Sequence, residues 1–334
     1  MLIGPVKIKH SFTLAALAGY SDLPMRRIAR RFGAAYALSA VVLDRSVTHP
    51  GEWQERLLRV EPDDHPVGAQ LMGDDPDDFV RAAELMAEAG YDVIDLNFAC
   101  PANRILNRCH GGALLGRPVR ALEIIRRVAE HLGGRSPLTV KLRRGFDDSP
   151  SSEREFFTIL DGAFDYGAAA VTVHPRSVEQ RFSGRSDWGL LTRVKKHVGA
   201  RVVIGSGDLF TAADCLRMIA ETGVDGVALA RGAMGNPWIF RDCLALARSE
   251  PWPTPPSLAE QRQVMADHFT EAVRYYGRES AGRAMRKHAI KYSKLHPHPR
   301  AMRVDFVDVK TTEQYEAAFA RWYGDGAFPD GALP

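Results

Sequence analysis

Cys100 stands where an alternating apolar run, residues 93–97, gives way to proline. The run ends in Asn97 and has the pattern of a short buried strand. Pro101 cannot continue a sheet ladder, so the chain leaves the sheet directly after the thiol. A cysteine on a rigid turn at the carboxyl end of a strand can meet a ligand. Read alone, it can equally be a small hydrophobe that closes the strand. The ends of the other apolar runs bear on the choice: Gln70, Lys141, and His174 with Arg176 close three of them. Each has a bland reading, as a strand cap or a side chain leaving for water. Gln, Asn, Lys and His converging on one mouth are hard to explain by solvation alone.

The elements that must position these residues follow from periodicity. Strands are expected at 12–18, 36–42, 67–72, 93–97, 138–142, 170–174, 202–206 and 226–230. Between them, apolar residues recur three or four apart at 23–32, 77–89, 118–132, 153–166, 190–197 and 212–222, the period of one-sided helices. Eight strands alternating with helices over about 240 residues have the count and length of a (β/α)8 TIM barrel, an α/β fold. A doubly wound sheet usually carries a Gly-rich turn after its first strand, and none is present. In a (β/α)8 barrel, reactive groups sit at the carboxyl ends of the strands, where the residues above fall. Near Pro251 the run PWPTPP reads as a linker. Beyond it, helix-period segments at 258–276, 280–296 and 312–322 suggest a small helical domain. The expected division is 1–250 for the barrel and 251–334 for the helical domain.

Two glycine turns follow the seventh and eighth strands: Gly205-Ser206-Gly207-Asp208 and Ala230-Arg231-Gly232-Ala233. Barrel enzymes hold phosphate there, because glycine lets backbone N–H groups approach the anion. Arg231 can add a charge-assisted bond. The first strand end, Ala16-Leu17-Ala18, completes the mouth. Lys141 can set its ammonium beside the pyrimidine edge of a flavin and stabilise charge that develops on reduction, with Gln70 and Asn97 bonding the same ring. Spacing alone leaves a phosphosugar aldolase open, with Lys141 as a Schiff base.

Composition excludes several classes. At 334 residues, 45% hydrophobic and 25% charged, the chain is ordinary for a soluble globular protein. The four cysteines, Cys100, Cys109, Cys215 and Cys243, form no CxxC pair, which fits a reducing compartment and argues against a thiolate zinc site; no metal is expected. The run FTLAALAG is too short for a signal peptide core and leads straight into Asp22 and a basic helix. No segment reaches the roughly 20 apolar residues of a membrane span. A cytoplasmic protein is expected, and a monomer is compatible with the sequence.

The stretches LAALAGYSDLPMRRIARRFGA, GAQLMG, DVIDLNFACPANRILNRCHGGALL, LTVKLRRGFDD, VTVHPRSVEQRFSG, IGSGDLF and ALARGAMGNPWIF span nearly the whole barrel in order. They resemble the flavin-dependent tRNA-dihydrouridine synthases, most closely the bacterial B-type branch. The combination of LNFACP, VKLR and VHPR is specific, and RKHAIKYSKL resembles the family's helical segment more loosely. The resemblance implies FMN in the barrel, NADPH as reductant, and hydrogenation of the C5–C6 bond of a tRNA uridine. It implies that Cys100 protonates C5 while flavin N5 delivers hydride to C6. A thiol suits that role, since its unperturbed pKa of roughly 8.5 leaves the proton available yet transferable. By the same resemblance Gln70, Lys141 and His174 contact the flavin, and Asn97 and Arg176 serve the substrate. Ala16, Leu17 and Ala18 line the flavin through backbone; Ser206, Gly207, Asp208, Ala230, Arg231 and Gly232 form the phosphate turns. The chain departs from the family pattern at Ala16 and Leu17 (usually Pro and Met), Ala99 (usually Gly) and Ser206 (usually Asn).

Residues 280–304 hold seven Lys or Arg and no acid. Arg283, Arg286, Lys287 and Lys291 recur at helical spacing and suit RNA phosphates, though a charge run is usually a solvated face. Tyr292 among them can stack on a base or pack. The rival readings are a barrel flavoenzyme acting on a free small molecule, of the dihydroorotate dehydrogenase or old-yellow-enzyme type, and an RNA-binding relative without catalysis.

Overall fold

The computed structural model describes residues 1–324; residues 325–334, the end of the expected helical domain, lie outside the described residues. Eight parallel strands form the barrel wall: β1 Phe12–Leu14, β2 Ala37–Leu38, β3 Val67–Met72, β4 Val93–Phe98, β5 Leu138–Arg143, β6 Ala170–His174, β7 Val202–Gly205 and β8 Gly226–Leu229. Pairing runs in chain order, and β8 returns to β1 through Val227↔Phe12, so the sheet closes and has no free edge. An antiparallel hairpin, Leu2–Ile3 with Val6–Lys7, precedes β1, and Ile3 and Ile8 are buried.

Alternation along each strand decides what faces inward. Ile94, Leu96 and Phe98 of β4 and Leu138, Val140 and Leu142 of β5 pack outward in the main apolar core. The intervening residues, Asp95 and Asn97 on β4 and Thr139, Lys141 and Arg143 on β5, point into the barrel. Register then fixes their neighbours: Gln70↔Asp95, Asn97↔Lys141 and Arg143↔His174 are aligned pairs.

The surrounding helices are α1 Leu23–Arg31, α2 Asp44–Thr48, α3 Glu52–Leu57, α4 Pro76–Glu88, α5 Asn103–Leu106, α6 Pro118–Leu132, α7 Pro150–Asp165, α8 Trp188–Val198, α9 Ala212–Thr222 and α10 Trp238–Ala247. Their starts follow from capping chemistry. Asp22, Asp75 and Ser149 accept backbone N–H groups at the first turns of α1, α4 and α7, and each of these helices has proline at its first or second position.

Four expected strands are shorter in the structure: those at 202–206 and 226–230 each by one residue, and the first two by more. The ladder of β1 ends at Leu14, and the hydroxyl of Ser21 accepts the Leu17 N–H at 2.8 Å, folding 16–21 into a turn. The second stave breaks after Leu38 and resumes at Val42–Leu43, where Val42 aligns with Leu71. Helix α10 lacked a period signal because WIFRDCLALA is apolar nearly all round and buried on several sides.

After 251–257, which contain no regular element, come α11 Leu258–Tyr276, α12 Arg278–Tyr292, α13 Pro299–Val307 and α14 Thr312–Tyr323. The expected single segment 280–296 ends as α-helix at Tyr292. Helix α13, unforeseen, is marked in sequence by Pro299 at its start and by buried Met302 and Phe306 four apart. These helices share a second apolar core, with Phe269, Met285, Phe306, Tyr315 and Phe319 at its centre. Ile28 of α1 and Trp238 of α10 belong to that core, so barrel helices complete it. The seam is tight at Gly235 (φ +69°), where an added Cβ would lie 2.2 Å from the carbonyl carbon of Lys291.

Candidate active site

A cavity of about 230 Å³ opens at the carboxyl ends of the strands. Of the residues expected at the mouth, Ala16, Leu17, Ala18, Asn97, Cys100, Lys141, His174, Ser206, Gly207, Asp208, Ala230 and Arg231 line it. Three do not. Gln70 is wholly buried one layer deeper. Arg176 is buried beside the mouth, bound to the Asp208 carboxylate at 2.6 Å and to the carbonyls of Ser183 and Gly184. Gly232 lies where a Cβ would meet the Leu209 carbonyl oxygen at 2.2 Å, so its bare backbone lets the two glycine turns touch.

Below Cys100 runs a chain of buried hydrogen bonds. Thr139 Oγ1 donates to Asp95 Oδ1 at 2.5 Å, and Gln70 Nε2 donates to Asp95 Oδ2 at 2.7 Å. Asn97 Nδ2 donates to Gln70 Oε1 at 2.6 Å, while Asn97 Oδ1 accepts the N–H groups of Ala99 and Cys100. From the other side, Arg143 Nε donates to the Ala99 carbonyl at 2.8 Å. The turn that carries the thiol is thus held at several backbone atoms. Gly111 and Gly112 close over it: added Cβ atoms would lie 2.9 Å from the Cys100 Cβ and from its carbonyl oxygen.

The remaining wall is cationic. Burial, with Arg143 next, lowers the Lys141 ammonium to about 8. Burial also lowers Arg143, to about 10, and Asp95 is raised by its burial. Burial and then Lys141, Arg143, Arg176 and Arg231 push His174 far below the usual imidazole value, so its ring is neutral. His174 Nε2, Arg176 Nη1 and Ser186 Oγ are buried without hydrogen-bond partners. Ser186 Oγ and the His174 ring both adjoin Gly207, at 2.3 and 3.0 Å from the position its Cβ would take. Gly207 (φ +110°) and Asp208 (φ +56°) are successive left-handed residues in that turn. A cavity with orphaned polar atoms and a surplus of cations fits an anionic, hydrogen-bonding cofactor with phosphate at the β7–β8 turns.

Sequence reasoning missed Arg143, Asp95, Thr139 and Phe182. Extending the inward alternation by one residue past Leu142 would have found Arg143. Phe182 is 55% exposed on the rim, its ring 5.4 Å from the Arg143 guanidinium and 5.0 Å from that of Arg231; a loop residue carries no periodic signal.

On α12, Arg283 is exposed and Arg286, Lys287 and Lys291 are half-buried, opposite the inward stripe of Ala281, Met285, His288 and Tyr292. Lys287 reaches the barrel, 5.7 Å from the Tyr20 ring centroid and 3.9 Å from Asp22. Tyr292 packs, 3% exposed, with its hydroxyl 3.1 Å from His268 Nδ1.

The closed barrel, with its polar groups gathered at the carboxyl ends of the strands, defines a (β/α)8 TIM-barrel protein. Solved structures of similar fold include 2-naphthoyl-CoA reductase (TM-score 0.60, 13% identity, 75% of this chain and 52% of that one). Morphinone reductase is another, with TM-score 0.54 and 13% identity over 77% of this chain and 91% of that one. The family model described as Dihydrouridine synthase (Dus) matches residues 13–322. A probable tRNA-dihydrouridine synthase of Mycobacterium tuberculosis is 33% identical over 99% of this chain and 86% of its own. The tRNA-dihydrouridine synthase B of Xanthomonas axonopodis pv. citri is 32% identical, covering 97% of this chain and 96% of its own. The chain belongs to the dihydrouridine synthase family.

Proposed function

We propose that this protein is a cytoplasmic, FMN- and NADPH-dependent tRNA-dihydrouridine synthase. The observation that carries the reading is Cys100 on the wall of a cationic barrel cavity, its turn fixed by Asn97 and Arg143. FMN, when bound, supplies the hydride that reaches C6 of the uracil. The Cys100 thiol gives its proton to C5, so hydride and proton together saturate the C5–C6 bond, and solvent returns a proton to the sulfur. Lys141 would hold positive charge beside the flavin's pyrimidine edge, where charge develops on reduction, and Arg143 adds a second cation to the same wall. Neutral His174 offers a hydrogen bond from Nε2 in one tautomer. The turns at Ser206–Asp208 and Ala230–Gly232, with Arg231, hold the phosphate.

Residues 251–324 serve as the RNA-holding domain, with Arg283, Arg286, Lys287 and Lys291 toward phosphates. The target base must leave its stack to enter the cavity. Among the described residues no helix is long and apolar enough to span a bilayer.

An anaerobic experiment tests the proposal. The holoenzyme is reduced with NADPH, and tRNA lacking dihydrouridine is added while flavin absorbance is followed. Reoxidation faster than with fully modified tRNA is expected. Reoxidation by free uracil derivatives but not by tRNA would instead establish the small-molecule rival.

A further inference from the structure

A second cleft, of about 140 Å³, lies between the barrel mouth and the end of α11. We propose that it binds a second unpaired nucleobase of the same RNA, next along the strand to the uridine that enters the active site. The proposal rests on the tRNA reading above and extends it to a neighbouring nucleotide.

Val41 lines both cavities, so the two adjoin at that residue. Neighbouring nucleotides of an opened strand can then occupy them together. The cleft is aromatic on two sides. Tyr275 and Tyr276 meet edge to face at 4.7 Å, and the Arg56 guanidinium stands 5.9 and 5.7 Å from their ring centroids. Trp53 forms the rim and is 56% exposed. Trp53 and Arg56 belong to α3, a helix that buries none of its residues. Leu57 packs that helix against the main apolar core, while Trp53 stays outside that packing, and an exposed tryptophan beside a cleft marks a contact surface.

Charge agrees. Arg56 faces the two rings rather than a carboxylate, and Arg59 adds a second guanidinium at the rim, paired to Glu61. The nearby Asp22 carboxylate accepts the Tyr276 hydroxyl at 2.7 Å and lies 3.9 Å from Lys287, so it is offset. Aromatic faces beside guanidinium groups take any base by stacking and cation–π contact, without reading its sequence. Lys287, at the same seam, is placed for the adjoining phosphate.

The test compares holoenzymes carrying Trp53→Ala, Trp53→Phe or Arg56→Ala with wild type. Affinity for tRNA lacking dihydrouridine is measured across a salt series, and flavin reduction by NADPH is measured separately. Trp53→Ala is expected to weaken tRNA binding about tenfold without altering the salt slope, and Trp53→Phe to restore it. Arg56→Ala is expected to weaken binding as well. Unchanged tRNA affinity in Trp53→Ala overturns the proposal. So does slowed flavin reduction with intact tRNA affinity, which would assign the cleft to the reductant's adenine. A reduced salt slope that Trp53→Phe does not rescue makes the cleft a phosphate contact and also overturns it. A wild-type enzyme whose reduced flavin tRNA fails to reoxidise refutes the substrate reading itself, whatever the cleft variants do.

Discussion

The side-chain oxygen of Asn97 accepts the backbone N–H of Cys100 at 3.1 Å, and this bond ties the thiol's position to the barrel interior. The other end of the Asn97 amide donates to Gln70, which is anchored on Asp95 and through it on Thr139. Asn97→Ala therefore frees two backbone donors and one buried acceptor. Each unsatisfied group costs roughly 1–3 kcal/mol. Urea unfolding should show a loss of that order, and single-turnover uridine reduction should slow more than flavin reduction by NADPH.

Cys100→Ala removes the proposed acid and little else. Flavin content and reduction by NADPH are expected to match wild type. Uridine reduction should fall by about 10²–10⁴, the usual contribution of a positioned acid. Stopped-flow absorbance on both half-reactions checks this, and dihydrouridine formation at the wild-type rate would remove the acid assignment.

Lys141, lowered to about 8 by burial and by Arg143, loses its charge within reach of ordinary buffers. Below that value the ammonium is present, and above it the developing negative charge loses its partner. Rates of flavin reduction by NADPH should therefore decline as pH rises through about 8. In Lys141→Met the rate should be lower throughout and this limb absent.

At the seam between the domains, His268 and His288 are buried with ring centroids 4.4 Å apart, near Asp22, Lys287 and Tyr276. Burial is the largest cause holding both below the ordinary histidine value. A folded pKa below the unfolded one means the unfolded chain takes up protons first. Stability is then full above the unfolded value of about 6.5 and lost as pH falls beneath it. Thermal unfolding from pH 7 to 5 should show that decline, and His268→Gln should flatten its slope.

The basic face of α12 predicts a salt effect. Replacing Arg283, Arg286 and Lys291 with Ala should weaken tRNA binding and reduce the dependence of log K on log salt by roughly 0.7–0.9 per lost phosphate contact. Flavin content should not change. An unaltered slope in filter binding would show that this face meets only solvent.

Much of the barrel was legible because its signals are local. Runs such as 67–72 and 138–142 announce strands by composition, and apolar residues three or four apart announce helices such as 118–132. The ends of those runs also revealed Cys100, Lys141 and His174, because a barrel puts strand termini in one place. What stayed hidden depends on partners distant in sequence. Nothing local shows that Arg176 is drawn onto Asp208, or that Gln70 faces Asp95 and not the cavity. Helix α10 was silent because a helix buried on several sides has no polar face to set a period. Phe182 and Trp53 were silent because exposed aromatics on loops and short helices stand outside any repeat.

At Gly235 the backbone of the barrel meets the backbone of α12 with no side chain between them. Contact of that kind leaves no compressible layer, so the cationic helix and the reaction cavity stand at one set distance. Under the proposed function the molecule would work as a caliper. An RNA held by α12 would present to Cys100 the nucleotide that lies that far away. Choice of uridine would then rest on the length and fold of the RNA, not on the letters around it. Gly235→Ala would widen the jaw, and the mark on the RNA would move or blur.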